Sequence, residues 1–150
     1  RQEAHGDEDE CDGARELDVV LNIGWLKSGY TVKVEAELQA ICSLPGSKIV
    51  KIILETSALT TEEKILGCRI AESAGAQFVK TSTGFGSGGA TLEDIRLMKQ
   101  TVSPTVFVKA SGGIRTRDDA IAYLEAGVQR IGTSAGVAMV TGAPVASSSY

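Results

Sequence analysis

The sequence predicts an α/β fold of about five parallel βα units. Three observations predict it. Short apolar runs rich in β-branched residues alternate with segments of helical period. One run follows the next at intervals of about 25–30 residues, the length of one βα unit. Glycine and hydroxyl residues cluster just after the runs, at their carboxyl ends. Parallel strands need a crossover, which the helical segments supply. A doubly wound sheet and part of a (β/α)8 barrel both satisfy the pattern, and both place a site at that end of the strands.

The strand runs are residues 17–23, 48–55, 77–82, 105–110 and 128–133. Residues 60–75 read as a helix, because Thr60 and Glu63 make a capping-box pattern and Gly75 closes it. Residues 91–101 and 116–127 open the same way, each on a threonine with acids close behind. Residues 29–43 form a weaker fourth helix, ended by Pro45-Gly46. Period two then sorts the strand faces. Asp18 shares a face with Val20 and Asn22, Ile53 with Glu55, Phe78 with Lys80, and Phe107 with Lys109. Four consecutive strands thus aim a charged residue one way from within apolar runs. A flat sheet covered by helices would bury those charges separately, whereas a barrel gathers them at one mouth.

Composition narrows the function classes. The chain has 150 residues, 43% hydrophobic and 23% charged, as in a globular domain, with no apolar run of the ~20 residues a membrane span needs. A net charge of -4 argues against nucleic acid as a partner. No secretory signal pattern is visible, and three cysteines (Cys11, Cys42, Cys68) without C-x-x-C spacing fit a reducing, cytoplasmic setting. Residues 1–16 hold seven acids against two bases, so residues 1–15 are expected to be a poorly ordered acidic leader, with His5 solvated. Residues 16–140 would form the βα portion and residues 141–150, with Tyr150, an inert flexible tail.

Lys80 and Lys109 stand at equivalent positions of sequential strands, roughly 5 Å apart if those strands are adjacent. Burial and a like charge both lower an amine's pKa, which suits Schiff-base formation with a carbonyl. Asp18 or Glu55 could move the protons. Taken singly, either lysine reads as a strand-end residue snorkelling to solvent, and either acid as a structural carboxylate. Two lysines in one phase, each before a glycine-rich loop, reverse that reading for the pair. Gly84, Gly86, Gly88 and Gly89, then Gly112-Gly113, then Gly132 with Ser134, offer open backbone amides for an anion. Any one of these glycines alone would only make a tight turn. The first group lacks the Lys-Ser/Thr ending of a P-loop.

These residues resemble a known family. The stretches from Leu17 to Gly24, Lys51 to Thr56, Phe78 to Phe85, Val108 to Thr116 and Ile131 to Ser134 are similar, in order, to deoxyribose-phosphate aldolases. The resemblance implies a class I aldolase, a lyase on a (β/α)8 barrel. It would cleave 2-deoxy-D-ribose 5-phosphate to acetaldehyde and D-glyceraldehyde 3-phosphate in deoxyribonucleotide and carbohydrate catabolism. No cofactor and no metal are implied. Lys80 would be the Schiff-base lysine, Lys109 the second lysine that depresses its pKa, and Asp18 the proton-transfer carboxylate. Thr83, Gly84, Gly112, Gly113 and Ser134 would bind the phosphate.

The family's first three strands have no counterpart here, so the five runs correspond to strands 4–8 of an incomplete barrel. Such a piece exposes two edges and part of an apolar interior, unless another chain or a second copy closes it into a homo-oligomer. The alternative is a truncated half-barrel that binds phosphate or a partner without turnover. A sugar-phosphate isomerase is disfavoured, since isomerisation needs no paired lysines.

Overall fold

A computed structural model of the chain describes residues 15–46, 49–85 and 88–142. Strands β1 (Glu16–Val20), β2 (Ile49–Ile53), β3 (Phe78–Lys80), β4 (Phe107–Ser111) and β5 (Arg130–Gly132) form one parallel sheet. The helices are α1 (Ile23–Lys27), α2 (Thr31–Cys42), α3 (Thr61–Ala74), α4 (Leu92–Thr101), α5 (Arg117–Glu125) and α6 (Gly136–Thr141). A 3-10 turn, Thr56–Ala58, follows β2. The acidic leader with His5 and Cys11, and the tail with Tyr150, lie outside the described residues, as does Gly86.

Strand order decides between the two architectures left open by the sequence. Each strand pairs only with its neighbours in the chain, β1-β2-β3-β4-β5, with no reversal of order. A doubly wound sheet requires such a reversal, where its helices change face. Right-handed crossovers in one unbroken direction instead put all the helices on one face, as in part of a barrel.

The two faces of the sheet are chemically opposite. Val50, Ile52, Leu54, Val79, Val108 and Ala110 point to the helices and are almost wholly buried, meeting Val34, Leu38, Ala71, Ile95 and Met98. Burying each large side chain there contributes about 1.5–3 kcal/mol. On the lumen face the register lines up Asp18, Lys51, Phe78 and Phe107 in one row. The next row toward the carboxyl ends is Val20, Ile53, Lys80, Lys109 and Arg130. Phe78 meets Phe107 edge to face at 5.3 Å and carries the Arg130 guanidinium on its ring at 4.8 Å.

Local signals set the helix ends. Thr60 accepts from the Glu63 amide while Glu63 accepts from the Thr60 amide, and Gly75 closes α3 in the left-handed region at φ 97°. Thr116 and Asp119 make the same box on α5, and Thr91 caps α4. The strands are shorter than the apolar runs suggest. Residues 22–24, read as strand and loop, open α1, where the Asn22 side chain accepts from the Trp25 amide. The weak reading of α2 has a physical reason: no side chain caps it at Tyr30. Replacing Thr60 with alanine removes the α3 box and is expected to cost about 1 kcal/mol. Urea unfolding should show a lower midpoint at unchanged slope, with Thr60→Ser close to the parent.

Candidate active site

The site lies on the lumen face, where β1, β2, β3 and β4 bring charged side chains together. Lys80 and Lys109 are direct partners in the β3–β4 register, as their shared phase in the sequence requires. Asp18 reaches Lys80 from two strands away: its Oδ2 accepts from Lys80 Nζ at 2.9 Å. Its Oδ1 accepts from Lys51 Nζ at 2.7 Å. Lys51 is 4% exposed and makes a second bond of 2.6 Å to Glu16. Glu16 also takes both of its oxygens to Arg130 of β5, at 2.7 and 2.8 Å. The result is one alternating chain, Arg130–Glu16–Lys51–Asp18–Lys80, that crosses the lumen from β5 to β1 and back to β3.

Sequence reasoning found Asp18, Lys80 and Lys109 and missed Glu16, Lys51 and Arg130. The signal was present, since Glu16 shares a phase with Asp18, and Lys51 with Ile53 and Glu55. The charged residue that β2 contributes to this network is Lys51; Glu55 stands past the end of the strand. There Glu55 is held in the left-handed region at φ 56°. Its carboxylate accepts from the Thr83 amide at 3.4 Å and the Thr83 hydroxyl at 3.3 Å, anchoring the loop after β3.

Charge and burial set the ionisation. Burial pushes the Asp18 carboxyl up, but hydrogen bonds from Lys51 and Lys80 outweigh it and hold the pKa below its ordinary value. Burial likewise presses on Lys51, and the bonds to Asp18 and Glu16 raise its pKa instead. Lys109 behaves in the opposite way. Burial and then the neighbouring Lys80 ammonium lower its pKa, and among the described residues it makes no ion pair. Arg130 and then Lys51 hold the Glu16 carboxyl down at about 2.

The loops above the lysines close on one another. Ser82 Oγ donates to the Ser111 carbonyl at 2.6 Å, and Thr133 Oγ1 donates to the Ile114 carbonyl at 2.6 Å. A Cβ on Gly89 would stand 2.3 Å from the Gly112 carbonyl oxygen, so only glycine permits that approach. Gly84, Gly112 and Gly113 all have positive φ. Among the described residues, the amides of Gly84, Gly112, Gly113 and Ser134 donate to no protein acceptor. The α4 and α5 N-termini, by contrast, are already closed by Thr91 and Thr116. Thr83 is engaged with Glu55, and Ser134 is exposed.

The depressed carboxyl pKa values carry a stability prediction with a definite sign. Stability from Glu16 and Asp18 is present above their unfolded values and lost as pH falls through the folded ones. Urea unfolding should therefore show stability declining between about pH 5 and pH 2. Glu16→Gln should be less stable than the parent at neutral pH, and the two should converge near pH 2.

Comparison with known proteins agrees with the geometry. The model for DeoC/LacD family aldolases matches residues 10–141. A deoxyribose-phosphate aldolase from Streptococcus gordonii is 55% identical over 130 residues, covering 87% of this chain and 59% of the relative. Among solved structures, QR15, an aldolase, superposes with a TM-score of 0.88 at 41% identity, over 95% of this chain and 66% of that one. The tetrameric deoxyribose phosphate aldolase from Aeropyrum pernix gives 0.77 at 34% identity, over 85% and 54%. The chain spans about three-fifths of the length of the curated relatives it matches. With the strand order, the lumen charges and these matches together, the chain belongs to the DeoC/LacD aldolase family.

Proposed function

We propose that this chain carries the catalytic strands of a deoxyribose-phosphate aldolase that works through a Schiff base on Lys80. The observation that carries the reading is the Lys80–Lys109 register pair with Asp18 bonded to Lys80. Lys109, whose ammonium is destabilised by burial and by the neighbouring Lys80, stands directly across from Lys80 and would take up the proton that the addition releases. The Lys80 amine then adds to the C1 aldehyde of open-chain 2-deoxy-D-ribose 5-phosphate, and water leaves to give an iminium. Asp18, bonded to Lys80, would take the proton from the C3 hydroxyl as the C2–C3 bond breaks. Its electron pair flows into the iminium, which becomes an enamine, and D-glyceraldehyde 3-phosphate departs. Protonation at C2 and hydrolysis then release acetaldehyde and restore Lys80.

The free amides of Gly84, Gly112, Gly113 and Ser134 support a phosphate position above the lysines. Thr83 would join it only by exchanging its bonds to Glu55 for the phosphate, so its share is the smaller one. The tetrameric Aeropyrum pernix relative supports an assembly of several copies. Free thiols at Cys42 and at buried Cys68, whose pKa burial pushes up to about 12, support a reducing, cytoplasmic setting.

Treatment with acetaldehyde and borohydride, followed by peptide mass mapping, tests this reading. The reduced adduct should fall on Lys80 and vanish in Lys80→Met. Asp18→Asn should slow cleavage by roughly 10²–10⁴-fold. An adduct confined to another lysine would overturn the mechanism. Sugar-phosphate binding without any adduct would favour the non-catalytic half-barrel.

A further inference from the structure

We infer that Lys51 is a positioning residue: it holds one oxygen of Asp18 away from Lys80 and keeps the lysine pair short of counter-charge. The catalytic part of this role rests on the aldolase reading above.

The geometry is specific. Lys51 is nearly wholly buried, yet its ammonium lies within 2.7 Å of one carboxylate oxygen on each of Glu16 and Asp18. Asp18 is therefore divided, one oxygen on Lys51 and the other on Lys80. The groups facing this point are Glu16 and Asp18 from β1, Lys80 from β3, Lys109 from β4 and Arg130 from β5. Counted with Lys51, four cations face two carboxylates. Such a surplus disfavours the charged amines, and it falls on Lys109, which has no ion-pair partner among the described residues and whose ammonium burial and Lys80 destabilise. Lys51 stays charged over the same range, because its carboxylates outweigh its burial.

Taking the Lys51 charge away acts twice in one direction. Asp18 is freed to turn both oxygens on Lys80, and Lys109 loses a repelling neighbour. Lys109 then keeps its proton to higher pH, and its neutral form beside Lys80 becomes scarcer. The fold should survive the change. Removing one partner of a buried ion pair is damaging when the other is left uncompensated. Here Glu16 keeps Arg130 and Asp18 keeps Lys80.

Carbon-13 NMR of the lysine Cε signals tests the inference on the whole chain, with the Lys109 signal assigned through Lys109→Leu. Lys51→Met should raise the Lys109 midpoint by about one pH unit, a tenfold smaller amine fraction at a given pH. Lys51→Gln, neutral but able to bond both carboxylates, should do the same and serves if the methionine variant fails a circular-dichroism check. Lys51→Arg should stay close to the parent. The pH profile of acetaldehyde adduct formation on Lys80 gives the second readout. Its acid limb should move up by the same amount, with full labelling recovered at high pH. An unmoved Lys109 midpoint in a folded neutral variant would overturn the inference. So would a folded variant that forms no adduct at any pH, which would put Lys51 in the chemistry itself. If the parent forms no adduct while the midpoint still follows the charge at position 51, the aldolase reading falls and the charge role stands.

Discussion

A single carboxylate held between two lysines organises the lumen. Asp18 is bonded to Lys51 on one oxygen and to Lys80 on the other, and among the described residues it is the carboxylate that pairs with buried Lys80. Lys51 in turn draws in Glu16, and Glu16 draws in Arg130 from the far edge of the sheet. Removing Asp18 would leave two buried ammonium groups with one carboxylate, already shared with Arg130, to serve them. Lys80, the Lys109 beside it and the span from β5 to β1 therefore depend on one residue.

The same constraint explains why the sheet must curve. Glu16 and Arg130 belong to β1 and β5, the two edge strands, and touch only because five sequentially paired strands bend toward each other. Twist in a parallel sheet of fixed strand order supplies that curvature. All the helices then cover the outer face, and the inner face is left for charge and for the Phe78–Phe107 pair. Phe107 remains 41% exposed on that inner side, as expected where the lumen is bounded by five strands. The loops after β3, β4 and β5 converge at the carboxyl ends through Ser82, Gly89 and Thr133, which places open glycine amides above the lysines.

Much of this was legible in the sequence, for identifiable reasons. Capping residues act on their own backbone, so Thr60 with Glu63 announced α3, and Thr116 announced α5. Period two fixed the shared face of Phe78 with Lys80 and of Phe107 with Lys109, and the register makes the lysines neighbours. Pairings made at a distance were not legible. Glu16 and Arg130 are 114 residues apart, and nothing local connects them. Lys51 inside an apolar run is ambiguous until the strand opposite it is known; once β1 is set beside β2, Asp18 stands directly across from it. The choice between a doubly wound sheet and a barrel rests on strand order, which periodicity does not encode.

The account's central claim is that Asp18 is a shared carboxylate, kept ionised by Lys51 and Lys80 against the cost of its burial. The most direct measurement is the pH titration of its side-chain carbon by NMR in selectively labelled protein. A midpoint below that of an exposed aspartate, about 3.9, is the predicted result. A midpoint at or above that value would mean that burial prevails, and the divided ion pair on which the site is built would not exist.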